Sequence, residues 1–389
     1  MKAKIWIGLL SLFLSFIFTL PALAAEQLAP GVRYWTFERT NWEGGPAKGH
    51  VLEIDTKQRF TEVRPVLGQD QLGQLETLSS LAQRTGAIAA INGGFFDTKT
   101  GMPDGSLIID GQTVTSSDIL RTSMGITYSG DVTIGYFAPK AGGWDNTRHL
   151  LTGGPLLVEG GIPVDQAVQE GMWGKVLLPA PRTAAGVTAA GKLLLVEVDG
   201  RQEDYSQGVT LEELAYLMVE LGAVKAVALD GGGSSEMVVK GEIVDRPSEG
   251  KERPLSNGLV ILQQLPVFLN NQRLYFDVPP LVEKGRTLVP MRKIFEGLGA
   301  EVTWDEAAKK VTAVKGDRTV EFTVGKTTAV VDGKNVRLDA AAKIMDGRLL
   351  VPMRFVGESF GATVKYDATK IPVIYITSSE EGASAGENR

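Results

Sequence analysis

Two runs of sequence decide how the chain reads: Lys192-Leu-Leu-Leu-Val-Glu-Val-Asp199-Gly-Arg201, and Val224-Lys-Ala-Val-Ala-Leu-Asp230-Gly-Gly-Gly-Ser-Ser235. Residues 192–198 and 224–229 each read as a buried strand. Between them Thr210-Leu-Glu-Glu213 is a capping box, with Thr at the N-cap and Glu at N3. Leu211, Leu214, Ala215, Met218 and Leu221 give the helix an apolar stripe, and Gly222 closes it. Strand, helix, strand in this order predicts a βαβ unit with parallel strands. Both strands run into Asp-Gly, and ligands of such units bind beyond the carboxyl ends. Asp199 and Asp230 are therefore the candidate catalytic carboxylates, expected within one or two strand spacings of ~4.8 Å. An ordinary Asp-Gly turn accounts for either one taken singly. After Asp230, the run Gly231, Gly232, Gly233, Ser234 and Ser235 lets backbone N–H groups approach an anion. No Gly-Lys-Ser/Thr follows, so this is not a Walker loop.

Two further runs carry chemistry. Residues 89–97 form an apolar strand ending in Asn92-Gly93-Gly94, followed by Phe95 and Phe96. A hairpin explains Asn-Gly, while the paired aromatics suit a wall for a sugar ring. Pro181-Arg182-Thr183-Ala-Ala-Gly186 puts Arg182 at the start of a strand that turns back before Leu193. A guanidinium grips phosphate through two bonds at once, and a structural ion pair is the alternative use.

Composition narrows the classes. The chain has 389 residues, 43 % of them hydrophobic and 22 % charged, enough for two or three packed domains. Lys+Arg is 40 against Asp+Glu 46, and a net charge of -6 gives no electrostatic footprint for nucleic acid. Cys is absent, which removes disulfides, thiolate metal sites and a Cys nucleophile. With His50 and His149 the only histidines, any metal must rely on oxygen ligands. No cofactor is expected, an oxygen-ligated divalent cation remaining compatible with the sequence.

Residues 1–24 read as a signal peptide: Lys2 and Lys4, an apolar run from Ile5 to Leu20, then Ala22-Leu23-Ala24 as the cleavage site. The run is shorter than a bilayer span of ~20 residues, so the expected product is secreted or cell-surface, with no transmembrane segment after cleavage. Near the other end, Arg286-Thr-Leu-Val-Pro-Met-Arg292 recurs as Arg348-Leu-Leu-Val-Pro-Met-Arg354. Met291, Ile294 and Leu298, matched by Met353, Val356 and Phe360, fall at helical spacing, with Gly299 and Gly361 as stops. Residues 266–377 thus form a small α+β domain of two similar halves, after a domain over 25–265. The polar tail 378–389 reads as disordered. The whole is predicted as α+β: a mixed sheet with a βαβ unit, then the smaller domain.

The Leu-Val-Pro-Met-Arg repeat resembles the domain family named after the N-terminal domain of copper amine oxidases. That resemblance implies a stalk or attachment module, on a cell wall and in a Gram-positive bacterium. Residues 266–377 hold neither His nor Cys, so no copper is expected there. From residue 48 to 262, Asn-Gly-Gly-Phe-Phe, Arg-Thr-Ala-x-Gly, Val-Asp-Gly-Arg and Leu-Asp-Gly-Gly-Gly-Ser-Ser stand in the order of the phosphodiester glycosidase family. Leu151-Thr-Gly-Gly-Pro155 and the stretch from Pro247 to Arg253 extend the likeness. Ala228 replaces the family's usual Asn, and Glu236 stands where Thr is common.

The resemblance implies hydrolysis of a sugar-1-phosphodiester of a wall, capsule or exopolysaccharide glycan, releasing sugar and a phosphomonoester. Arg182 is the expected phosphate holder, with Arg121 and Arg253 as further candidates. Asn92, Gly93, Gly94, Gly231, Gly232, Ser234 and Ser235 are expected to line the substrate, with Asp199 and Asp230 as the carboxylate pair. His149, and less so His50, is an alternative general base. A phosphodiesterase cleaving P–O, or a silent glycan-binding surface protein, are the competing readings.

Overall fold

The structure is a computed structural model. It describes residues 25–378 apart from 41–44, 59–60, 138–143, 145, 173, 264, 266, 275, 277, 279, 284 and 368–372. The expected signal peptide lies outside the described residues, as does the tail beyond residue 378.

The strand Leu193–Val198 has both edges occupied. Gly191, at φ 77, turns the chain so that Arg182–Thr188 lies antiparallel along one edge. Ala47–Ile54 lies antiparallel along the other. Ala223–Ala228, arriving after the helix, therefore pairs with the free side of Arg182–Thr188. The strands leading to Asp199 and Asp230 run the same way but are not neighbours, since an antiparallel strand separates them. The expected mixed sheet is corrected: neighbours in this eight-stranded sheet pair antiparallel throughout.

A five-stranded antiparallel sheet faces it, built from Glu242–Ile243, Met237–Val239, Ala89–Asn92, Asn257–Gln263 and Thr61–Leu67. Leu193 and Leu195 point with Val227 and Leu52 into the space between the sheets, against Ile91, Met237 and Leu259. Leu194, Val196 and Val198 alternate to the opposite face and meet Leu214, Leu217 and Met218 of the helix Leu211–Glu220. That helix opens with the expected capping box of Thr210 and Glu213. The helix Leu78–Thr85 covers the far side of the second sheet through Leu78, Leu81 and Ala82. The order is helix, sheet, sheet, helix. A third antiparallel sheet of five strands, including Thr122–Thr127 and Thr147–Thr152, adds Met124, Ile126 and Leu151 to the central core. No helix among the described residues is long and apolar enough to cross a membrane.

In the second domain Arg286–Pro290, Met291–Gly297 and Glu301–Asp305 recur as Arg348–Pro352, Met353–Ser359 and Thr363–Asp367. The two proline-ended strands pair antiparallel about Val289 and Val351. Each proline is the N-cap of its helix, one position earlier than a first-turn proline. Leu262 packs with Leu78 and Leu81 in the first domain, and Leu265 packs on the core of the second.

Separate cores predict separate melting. Calorimetry of the full chain should give two transitions, and a fragment of residues 25–265 should keep one of them unshifted. A single transition lost on removing the second domain would contradict this.

Candidate active site

Register fixes where the two aspartates stand. Arg182 pairs with Val198 and Ala184 with Ala228, so Asp199 and Asp230 flank the Pro181–Arg182 step, one on each side. Gly200 lies so close that a Cβ would come 2.5 Å from the Pro181 nitrogen. On the other side, the Gly232 N–H donates to the Pro181 carbonyl at 2.8 Å.

Asp230 opens a tight turn whose backbone is clamped. Its N–H donates to the Gly93 carbonyl at 3.1 Å, and its carbonyl accepts from Asn92 Nδ2 at 2.7 Å. Asn92 Oδ1 accepts from the Thr183 hydroxyl at 2.7 Å and the Glu236 N–H at 3.2 Å. Asn92 is buried and holds the turn from both sheets. Gly93 and Gly94 are required by crowding. A Cβ on Gly93 would lie 2.0 Å from Asn257 Oδ1, and one on Gly94 would lie 2.4 Å from the Thr152 carbonyl. The Asp230 carboxyl is pushed up to about 6 by burial, against the Ser234 hydroxyl, the Arg253 charge and the Gly231 N–H, which favour its ionised form. Arg253 Nη1 reaches Ser234 Oγ at 3.3 Å.

Guanidinium groups gather over this turn. Gly232, at φ 63, has Arg201 Nη2 where a Cβ would be 2.9 Å away. Gly233 leaves room for the Arg253–Glu249 ion pair. Arg201, itself at φ 60, makes no hydrogen bond or ion pair through its side chain among the described residues. Arg182 is buried, and its guanidinium donates to three carbonyls: Val209 at 3.0 Å, Val176 at 2.6 Å and Leu178 at 2.7 Å. No carboxylate among the described residues pairs with it. Burial, then the nearby Arg201 charge, pulls it down to about 10. Two unneutralised cations beside a glycine turn make a seat for an anion. Sequence reasoning did not single out Arg201, although it completes Val-Asp-Gly-Arg; the left-handed φ that brings it over Gly232 has no sequence signature at an Arg.

Asp199 is enclosed, at 1 % exposure. Its Oδ1 accepts from the Arg246 N–H at 2.7 Å, and burial pushes the carboxyl up to about 6. It faces inward, toward His50, rather than toward the rim where Asp230 is half-buried. Behind it lie Glu197, Glu236 and Asp245, all buried and all missed by sequence reasoning, though a Glu inside Leu-Leu-Leu-Val-Glu-Val was the available signal. Burial, then Asp199, pushes Asp245 up to about 7 overall, opposed by the Met237 N–H bond. Glu236, buried beside Glu252, is pushed up to about 9. Glu252 in turn accepts from the Ser79 N–H and hydroxyl at 2.9 and 2.6 Å.

The other expected residues separate. Arg121 pairs with Asp104 at 2.9 Å and lies over the Phe95 ring at 5.5 Å. His149 sits in a different buried cluster with Glu62, Asp110 and Arg148. Ser235 is buried with its hydroxyl unpartnered. Clefts of about 410 Å³ beside the helix Leu211–Glu220 and about 200 Å³ in the second domain lie away from these turns.

A carboxylate, a glycine-rich turn and unneutralised guanidiniums at one end of an antiparallel sandwich define a site for an anionic substrate. The phosphodiester glycosidase family model matches residues 85–262, and the copper amine oxidase N-terminal domain model matches residues 268–375. The chain carries a phosphodiester glycosidase domain followed by a copper amine oxidase N-terminal domain. It is 30 % identical over 238 residues to the N-acetylglucosamine-1-phosphodiester alpha-N-acetylglucosaminidase of Mus musculus, covering 57 % of this chain and 46 % of that protein. The solved catalytic domain of the zebrafish enzyme of that name, auto-inhibited by its pro-peptide, is similar with a TM-score of 0.53 and 25 % identity. That match covers 61 % of this chain and 85 % of the other. The primary amine oxidase of Klebsiella aerogenes is 27 % identical over 106 residues, 27 % of this chain and 12 % of that protein. The chain thus spans about half the length or less of these curated relatives.

Glu236 sets a pH dependence. Its folded value near 9 lies above the unfolded ~4.5, so the folded state binds the proton more tightly. The resulting stability is complete at low pH and is lost as pH rises through about 9. Asp245 acts in the same direction up to about 7. The melting temperature should fall from pH 5 to pH 9, by roughly 1 kcal/mol of stability per pH unit for each such group. Glu236→Gln should flatten that slope; an unchanged slope would contradict the assignment.

Proposed function

We propose that the first domain hydrolyses the sugar–oxygen bond of a sugar-1-phosphodiester, releasing free sugar and a phosphomonoester. The observation that carries this is the meeting of Asp230 with the Gly231–Ser234 backbone, Arg201 and Arg253 at one rim. The printed activity of the mouse and zebrafish relatives supports it. The phosphate lies on the glycine turn, between Arg201 and Arg253, with the Arg182 charge behind. Arg182 is then a strut that also contributes potential, its fork being bonded to carbonyls. Asp230, ionised above about pH 6, faces the anomeric carbon and stabilises or traps the positive charge that develops there. A departing phosphate is already a good leaving group and needs cations more than a proton donor. Asn92 positions Asp230 through its carbonyl, and Asp199 is a positioning residue beneath the site.

The leader-like residues 1–24 support export, and a glycan of the cell surface is the substrate class that fits an exported enzyme. The second domain acts as an attachment module, and its lack of His and Cys supports a role without copper.

The test uses sugar-1-phosphodiesters in ¹⁸O-labelled water. Label in the released sugar is expected; label in phosphate would mean P–O cleavage, and no turnover across substrates would leave a binding protein. Asp230→Asn should lower kcat by on the order of 10²–10⁴ with its melting temperature kept. Arg201→Ala should lower kcat/KM by on the order of 10². The acid limb of the wild-type profile should fall near pH 6, activity being lost as Asp230 protonates. An Asp230→Asn variant with normal turnover would overturn the site.

A further inference from the structure

The strand register creates a second cluster, which shares with the site above only the positioning residue Asp199. Glu197 lies directly opposite His50 across the strands Leu193–Val198 and Ala47–Ile54. Asp199, two residues on, projects from the same face of its strand. The Tyr34 hydroxyl occupies His50 Nδ1 at 2.8 Å, so Nε2 is the nitrogen that faces the carboxylates. His50 Nε2 and Asp199 Oδ2 stand 3.8 Å apart, too far for a hydrogen bond. One donor atom each from His50, Glu197 and Asp199 lies within 4.8 Å of the others.

The independent observation is Glu197. It is 1 % exposed, its side chain makes no hydrogen bond or ion pair among the described residues, and its Oε2 is buried without a partner. Asp199 Oδ2 and, from the loop after the strand Glu242–Ile243, Asp245 Oδ2 are buried and unpartnered too. Without a counter-charge, burial and the neighbouring carboxylates hold the Glu197 carboxyl well above its ordinary range, and a bound cation would let it ionise. The cluster of Glu62, Asp110 and His149 differs in charge: there Arg148 and Arg64 are ion-paired to the carboxylates, although Glu62 Oε2 and His149 Nε2 also lack hydrogen-bond partners. No Lys or Arg is ion-paired to Glu197 or Asp199 among the described residues, although the Arg246 and Lys48 charges and the Tyr205 hydroxyl favour the ionised form of Asp199.

We propose that His50, Glu197 and Asp199, with Asp245 as the further ligand, bind a divalent transition cation. Ligand atoms about 2.0–2.2 Å from one ion stand roughly 3–4.4 Å from each other, which fits the spacing here. An imidazole nitrogen among carboxylates suits Zn²⁺ or Mn²⁺ better than Ca²⁺ or Mg²⁺, which favour all-oxygen shells. Tyr34 is the group that orients the imidazole. The ion ties the His50 strand to the strand that runs into Asp199 and so stiffens the floor beneath the candidate active site. The proposal departs from the expectation of no cofactor and of oxygen ligands alone, and it stands whether or not the chain is a glycosidase.

The test reads metal and melting, not turnover. The full chain is stripped with EDTA, reloaded with Zn²⁺, Mn²⁺, Ca²⁺ or Mg²⁺, desalted, and assayed by elemental analysis and thermal melting. One retained equivalent of Zn²⁺ or Mn²⁺ is expected, with a melting temperature several degrees above the EDTA-treated protein. Glu197→Gln and His50→Gln should each lose the retained ion and the shift. In EDTA, Glu197→Gln should melt no lower than the wild type, since it removes an unpaired buried acid. No retained ion and no shift in the wild type would overturn the proposal. A shift with Ca²⁺ or Mg²⁺ alone, or one that survives in both variants, would overturn it equally.

Discussion

The side-chain amide of Asn92 joins parts of the chain that are far apart in sequence. It donates to the Asp230 carbonyl and accepts from Thr183 and from the Glu236 N–H. Asn92 ends a strand of one sheet, Thr183 sits in the other, and Glu236 leads back into the first. The backbone from Asp230 to Glu236 is therefore pinned at both ends, with three glycines between. An amide that is buried and bonded on both sides cannot be replaced without leaving a donor or acceptor stranded. Much of the local geometry depends on that constraint: the crowding at Gly93, the left-handed Gly232, and the place of Ser234 between Arg253 and Asp230.

Polar interiors are expensive, and this one is concentrated. Of the buried atoms without a partner, those on Glu197, Asp199, Ser235, Glu236, Asp245, Ser248, Ser256 and Asn257 occur around the ends of the strands that frame the site, and those on Glu62, Arg64, Arg121 and His149 lie elsewhere. In the cluster around Glu62 the charges are matched, Arg148 pairing with Glu62 and Asp110, although Glu62 Oε2, Arg64 Nε and His149 Nε2 lack hydrogen-bond partners. What separates the two places is charge: guanidiniums neutralise the carboxylates of one, and among the described residues none is ion-paired to Glu197 or Asp199 in the other. Two different ligands are implied by charge alone. The guanidinium side of the Asp230 turn calls for an anion, and the carboxylate side beneath Asp199 calls for a cation.

Local signals were legible in the sequence because they depend on neighbours. The capping box at Thr210 and Glu213, the glycine stops and the 62-residue repeat follow from adjacent residues and appear as read. Strand order was not legible. A strand–helix–strand pattern does not reveal that Leu193–Val198 already has both edges filled, so its partner was misplaced by one strand. Side-chain roles split the same way. Asp230 and its glycines stand together as expected, whereas Arg182 is bonded by carbonyls from a segment whose path no local pattern gives. Asp199 and Asp230 flank one strand, but the alternation that turns Asp199 inward also gathers Glu197 and His50, which only the cross-strand register could bring together.

The central claim is that the turn from Gly231 to Ser234 is an anion seat beside Asp230. A crystal structure of the chain soaked with inorganic phosphate tests it most directly. The account predicts ordered phosphate on the turn's N–H groups, within bonding distance of Arg201 and Arg253 and next to the Asp230 carboxyl. Phosphate ordered at another place, with this turn and both guanidiniums left free, would contradict it.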